Sequence, residues 1–241
     1  MIEIKGIYKK FGRLAALSNI NLNLLAGETI AMIGPNGSGK TTLIKTLLGL
    51  VIPDRGDVLF NKQSVLKQWQ YREKIGYMPQ IGRYPDNMRI GQIVDMMVDL
   101  RRDTAGHTDL ELMKSLGIDR VLDKPMRTLS GGTRQKVSAC LAFMFHPDVL
   151  ILDEPTAGLD PLSSEILKDK IAKEKDRGRL IIITSHILSD LDDLVTEVVY
   201  MQEGLVKFHK KVEELQEQTG EMRLNKVMAV LMDPYYDPVM Q

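Results

Sequence analysis

The sequence predicts an α/β fold: a parallel sheet, an antiparallel strand region ahead of it, and a helical segment inserted into it. Three observations predict it. The apolar run Thr29-Ile30-Ala31-Met32-Ile33 leads through a glycine loop into the helical stretch Leu43-Ile44-Lys45-Thr46-Leu47-Leu48. Two continuous apolar runs, Val149-Leu150-Ile151-Leu152 and Leu180-Ile181-Ile182-Ile183-Thr184, flank a helical segment at 161–175 and make a β-α-β unit with a right-handed crossover. From about 89 to 146 strand patterns stop and helical spacing takes over.

Taken in order, Ile2, Ile4 and, less cleanly, Ile7 alternate with polar residues, as do Ile20, Leu22 and Leu24. They read as antiparallel strands joined by a turn at Gly12-Arg13. Ala26-Gly27-Glu28 turns the chain into the buried strand before the glycine loop. Pro53-Asp54-Arg55-Gly56 reads as a turn, Val58-Leu59-Phe60 as a short strand, the stretch from Val65 to Lys74 as helical and Ile75-Gly76-Tyr77-Met78 as a strand ending at Pro79-Gln80. Ile90, Ile93, Val94 and Met97 share one helical face, as do Leu110, Leu112, Met113 and Leu116. Another helix follows Leu129-Ser130-Gly131-Gly132-Thr133. Beyond His186 the pattern predicts a short helix, a strand pair turning at Glu203-Gly204, a helix from Val212, and a last helix carrying Leu224, Val227, Met228 and Leu231. That last stripe reads as docking on the core, ahead of Asp233-Pro234-Tyr235-Tyr236-Asp237-Pro238.

Composition narrows the function classes. With 241 residues, 44% of them hydrophobic, the chain can bury a full core. Thirty-two basic and 32 acidic residues give a net charge of +0, so no global field draws it to nucleic acid or anionic lipid. Any phosphate binding must be local. The single Cys140 excludes an intramolecular disulfide and reads as a packing residue in a reducing compartment. The first residues lack a signal peptide's apolar stretch and no apolar run reaches 18 residues, so the expectation is a cytosolic chain that spans no bilayer unaided.

The glycine loop carries the chemistry. Gly34-Pro35-Asn36-Gly37-Ser38-Gly39-Lys40-Thr41 fits the phosphate-loop pattern of Gly, four residues, then Gly-Lys-Ser/Thr. A nucleoside triphosphate needs donors packed around its charges; glycines let backbone N–H groups approach, and a helix N-terminus adds partial positive charge. Lys40 then supplies a full charge to the β- and γ-phosphates, Thr41 a hydroxyl for Mg²⁺, and Thr42 support for the turn. Asp153 and Glu154 follow a buried strand, where adjacent carboxylates repel unless occupied. A metal on Asp153 and an attacking water on Glu154, acting as general base, would occupy them. His186 lies at the carboxyl end of a strand and could donate to a γ-phosphate. His107, His146 and His209 read as structural or solvated. Gln80 is ordinary loop material, or an amide that ligates a metal or holds a water. Ser130-Gly131-Gly132 before a helix is a serine cap, or a second anion-binding device.

Together, Gly34 to Thr41, Gln80, Leu129 to Thr133, Leu150 to Glu154, Gly158-Leu159-Asp160 and His186 resemble, in this order, the ATP-binding subunit of ATP-binding cassette (ABC) transporters. The resemblance covers roughly 1–210 and implies a phosphate-loop NTPase with a RecA-like core, an antiparallel β-subdomain and an inserted helical subdomain. On it, 1–88 and 147–211 are the ATP-binding core, 89–146 the helical insert, and 212–241 a short C-terminal helical tail. Phe11 is similar to the aromatic on which adenine stacks, with Tyr8 as second candidate. Gln80 is similar to the glutamine that touches the metal and relays nucleotide state to the membrane partner. Ser130, Gly131 and Gly132 resemble the signature that contacts the γ-phosphate held by the other subunit of a head-to-tail dimer. Asp160 resembles the residue linking the two sites, and His186 the switch histidine. Thr133 stands where many members carry glutamine, and Ala157 where many carry serine.

The resemblance thus implies an ATPase using ATP and Mg²⁺, with Glu154, His186 and Lys40 catalytic and Thr41, Gln80 and Asp153 at the metal. It implies a second copy and an integral-membrane transporter subunit as partners, no nucleic acid, and a place at the cytoplasmic face of the membrane. The short C-terminal part and the run from Thr156 to Pro161 look exporter-like, including exporters that serve copper-enzyme maturation. The alternative is a soluble cassette ATPase such as an iron–sulfur assembly factor.

Overall fold

The computed structural model describes residues 1–66, 68–101 and 108–232. In chain order its elements are β1 (Ile2–Phe11), β2 (Leu14–Leu24), β3 (Thr29–Ile33), α1 (Lys40–Leu47), β4 (Arg55–Phe60), β5 (Gln63–Ser64), β6 (Ile75–Met78), α2 (Ile90–Leu100) and α3 (Glu111–Ser115). There follow α4 (Gly131–Phe143), β7 (Val149–Asp153), α5 (Pro161–Asp176), β8 (Leu180–Thr184), β9 (Glu197–Gln202), β10 (Leu205–Lys211), α6 (Val212–Thr219) and α7 (Leu224–Leu231). The chain divides into two compact units, one of 1–66 with 184–241 and one of 67–183. In this division β6 and β7 belong to the second unit together with the helices between them.

In the first unit β1 is flanked by β2 and β4, with β5 at the edge, all antiparallel. The uneven alternation of β1 has a local cause. Its register against β2 slips between Ile4 and Ile7, and such a bulge changes which face the next side chain meets. Ile2, Ile4 and Ile7 are therefore all buried despite the broken period. Strand β3 pairs parallel with β9 from Ile30 opposite Glu197 to Ile33 opposite Tyr200, and β10 returns antiparallel along β9. Every residue of β3 is buried, as a strand covered on both faces requires. Leu224, Val227 and Met228 of α7 are buried within this unit, so the apolar stripe docks as expected. The segment from Asp233 onward and His107 lie outside the described residues.

Two local expectations are corrected. Gly56 does not turn the chain but crosses β1 at close range inside β4. With φ +87, a Cβ there would stand 2.3 Å from the Gly6 carbonyl oxygen and 2.4 Å from that of Lys5. Helical character between Val65 and Lys74 shrinks to a 3-10 turn, Gln70–Lys74, because Val65 instead donates to the Val58 carbonyl beside β4. Beyond His186 the short helix is likewise a single 3-10 turn, Leu188–Asp190.

In the second unit β6 and β7 pair parallel from Ile75 opposite Val149 to Met78 opposite Leu152, and β8 lies beside β7. All residues of β7 and β8 are buried. Helix α4 presses on β6 so closely that a Cβ on Gly76 would meet the Ala142 carbonyl oxygen at 2.1 Å. Cys140 on that helix is buried, which pushes its thiol up to about 12 and leaves it a packing residue. Helix α5 buries Lys170, whose ammonium is paired with Asp109, Glu111 and Glu174. A buried cation is tolerated because it is paired this fully.

The contrast between Gly56 and Gly27 is testable. Both have φ near +87, but nothing lies within 4 Å of a Cβ on Gly27. Gly27→Ala is expected to cost about 1 kcal/mol, from backbone strain alone, and Gly56→Ala at least about 2 kcal/mol more through its clash. Urea unfolding of both variants checks it; equal midpoints would contradict the close crossing.

Candidate functional site

In the first unit the glycine loop is held from behind by backbone. Gly34, at φ +154, lies so close to β9 that a Cβ would be 2.1 Å from the Met201 carbonyl oxygen. Gly39, at φ +104, would place one 2.5 Å from the Ala16 carbonyl oxygen on β2. Only glycine fits either position. Ser38 is buried, its N–H donates to the Pro35 carbonyl (3.1 Å), and its carbonyl accepts from Gly204 N–H (3.1 Å) at the β9–β10 turn. Gly204 in turn accepts from Ser18 N–H of β2 at 2.8 Å. The loop is thereby tied to two strands before any ligand arrives.

Helix α1 begins at Lys40 immediately after Gly39, so its first-turn N–H groups and the positive end of its dipole face the loop. The Lys40 ammonium donates to the carbonyls of Gly34 (2.6 Å) and Pro35 (3.1 Å) and to Ser38 Oγ (3.4 Å). The charge thus sits directly over the loop. Pro35, Asn36, Gly37 and Thr41 are exposed, and Thr42 supports the helix by accepting, through its carbonyl, from Thr46 Oγ1 (2.8 Å). Phe11, half exposed at the end of β1, presents a ring face with the Lys9 ammonium 5.5 Å from its centroid. Tyr8 is also exposed. His186 is exposed just past β8, following buried Ser185. His209 meets Glu197 at 2.6 Å across β9 and β10, a structural role.

In the second unit Asp153 closes β7 and is buried, as is Glu154. Glu154 adopts the left-handed conformation (φ 54), which a non-glycine residue holds only when its surroundings impose it. Its carbonyl accepts from Ala157 N–H (3.1 Å) and from Gln135 Nε2 of α4 (3.4 Å). One strand over, Tyr77 has its phenol pushed up to about 12, by burial first and by the Asp153 charge second. It therefore stays protonated beside the acidic strand end. Gln80 is exposed beyond β6. Within this unit Gln80 and Asp153 offer an amide oxygen and a carboxylate, and in the first unit Thr41 offers a hydroxyl; oxygen donors are the kind that suit a hard cation such as Mg²⁺.

Ser130 caps α4: its Oγ accepts from Thr133 N–H (3.2 Å) and shares a hydrogen bond with Thr133 Oγ1 (2.9 Å). Gly131 stands open at the helix start, whereas Gly132 packs against the loop after β7, where a Cβ would be 2.7 Å from the Gly158 carbonyl oxygen. Both readings of Ser130-Gly131-Gly132 therefore meet in one place, a capped and exposed helix N-terminus. Asp160 caps α5, accepting from Ser163 N–H (2.9 Å) and Ser163 Oγ (2.8 Å), ahead of Pro161 in the first turn. It also pairs with Lys136 at 2.8 Å, and that pair with the cap bonds holds its carboxyl well below the usual range. Tyr77, Gln135 and Lys136 were missed from sequence; the one available signal was the i, i+3, i+4 spacing that places Gly132, Gln135 and Lys136 on a common helix face.

Comparison with known proteins gives the family. The sequence profile of the ABC transporter family matches residues 17–157. The lantibiotic transport ATP-binding protein SrtF of Streptococcus pyogenes is 32% identical over 220 residues, covering 88% of this chain and 91% of that protein. The Nod factor export ATP-binding protein I of Burkholderia lata is 28% identical over 207 residues, covering 84% of this chain and 68% of that protein. A solved ATP-binding subunit of an ABC transporter superposes with a TM-score of 0.85 at 26% identity, over 96% of this chain and 99% of that one. A dimeric ATP-binding cassette in a post-hydrolysis state with ADP and Pi shares the fold, with a TM-score of 0.77 at 24% identity over 88% of this chain and 99% of that one. The family profile and a relative matched over most of both chains point the same way: the chain belongs to the ABC transporter family, as one of its ATP-binding subunits with the cassette ATPase fold.

Proposed function

We propose that this chain binds and hydrolyses ATP to drive a separate integral-membrane partner of an exporter, and that two copies work head to tail. The observation that carries the reading is the glycine loop, locked by Met201 and Ala16 carbonyls with the Lys40 ammonium already placed over it. A preorganised donor array is what stabilises charge developing on a transferring phosphoryl group. Lys40 and the first turn of α1 hold the β- and γ-phosphates, and Phe11 offers its half-exposed ring to adenine. Thr41, Asp153 and Gln80 hold Mg²⁺, which neutralises phosphate charge when bound. Glu154 polarises the attacking water and His186 donates to the γ-phosphate.

The exposed start of α4 supplies Ser130, Gly131 and Gly132 to the γ-phosphate bound by the other copy, and Asp160 takes part in the link between copies. Hydrolysis removes an acceptor that both copies share, which gives closure and reopening as the stroke. No helix among the described residues is long and apolar enough to cross a membrane, so the path for cargo falls to the partner, placed at the cytoplasmic face where Gln80 reports nucleotide state. Export is supported by the named activities of the two relatives, lantibiotic transport and Nod factor export. Neither relative supports the copper-enzyme subtype, and the soluble iron–sulfur reading gives way to the transporter family.

Glu154→Gln is expected to hydrolyse ATP at least about 10²-fold more slowly while still binding it, and to run as a dimer at saturating Mg-ATP on size-exclusion chromatography. A variant that stays monomeric under those conditions would count against the paired mechanism. Lys40→Ala is expected to lose at least about 10²-fold in hydrolysis, read by phosphate release; normal turnover would mean the site is elsewhere.

A further inference from the structure

Helix α4 touches the loop between Glu154 and Asp160 at three places in succession. Gly132 meets the Gly158 carbonyl, Gln135 Nε2 donates to the Glu154 carbonyl at 3.4 Å, and Lys136 pairs with Asp160 Oδ2 at 2.8 Å. Residues at i, i+3 and i+4 lie on one helix face, so the three contacts form a single seam. We propose that Lys136 is a positioning residue for ATP hydrolysis: through Asp160 it fastens the serine–glycine–glycine helix to the loop that begins at Glu154. This inference rests on the functional reading above and deepens it.

The seam grips the loop at its start, middle and end. Glu154 needs such a grip, because its left-handed backbone is costly and persists only where neighbours over-determine it. At the far end Asp160 has both carboxylate oxygens engaged, one with Ser163 N–H and the other with Ser163 Oγ and Lys136. Its geometry is therefore set jointly by α5, which it caps, and by α4. The pair is partly solvated, with side chains 21% and 52% exposed, so it adds little to overall stability. Its effect is on placement. Any displacement of the signature helix passes to the loop, and with it to the backbone of the proposed general base. Gln135 contributes the same coupling at the start of the loop.

The test uses the full chain and steady-state ATPase kinetics. Lys136→Met is expected to lower kcat at least about tenfold with KM for ATP within about twofold, because the phosphate loop is untouched, and Lys136→Arg is expected to restore most of kcat. Hydrogen exchange at the amides of Ala157, Leu159 and Ser163 should rise in Lys136→Met and return in Lys136→Arg. Lys136→Gln, a polar replacement at this partly exposed position, carries the same readings should the methionine variant fold poorly. An active wild-type chain whose neutral variants keep kcat, or whose arginine variant is as slow as the methionine one, would overturn this inference alone. A wild-type chain with no turnover would overturn the functional reading and the inference together.

Discussion

Backbone packed against backbone is the constraint on which the structure depends. Gly34 and Gly39 lie where a Cβ would collide with the Met201 and Ala16 carbonyls, so the glycine loop is pinned to β9 and β2 with no side chain between. The pinning leaves the helix start and Lys40 as a fixed array of donors, which a chain of zero net charge needs if it is to hold a triphosphate locally. The second unit repeats the device: Gly132 brings α4 onto the Gly158 carbonyl, and Gly76 brings the same helix onto β6. Each glycine serves placement more than flexibility.

Rigid placement explains why residues of modest intrinsic chemistry suffice. The Ser130 hydroxyl is oriented by Thr133 through both its N–H and its hydroxyl. Glu154 is held in a conformation that a free turn would not choose. Its carboxylate and that of Asp153 are carried at the end of a strand with every residue buried, which limits how far either can wander.

Much of this was legible in the sequence, for a physical reason. The glycine loop, the apolar runs of β3, β7 and β8 and the serine–glycine–glycine cap are local patterns, in which residues close in sequence share one task. What was not legible depends on pairs distant along the chain. Lys170 meets Asp109 across 61 positions, and nothing in α5's own pattern marks that lysine as buried. Lys136 lies on α4, whereas Asp160 caps α5. Gly56 has the composition of a turn, and only its approach to β1 shows it to be a crossing point. The slip in β1 likewise hid the burial of Ile7 behind a broken alternation.

In the proposed dimer the phosphate device of one copy is completed by the signature helix of another. Mixing two inert chains tests it most directly: Lys40→Ala, which keeps Ser130, and Ser130→Phe, which keeps Lys40. Each alone is expected to show only background hydrolysis, and the equimolar mixture, which assembles one intact site per mixed pair, to hydrolyse ATP well above either. A mixture as inert as its components, from chains shown to pair in the presence of ATP, would contradict it.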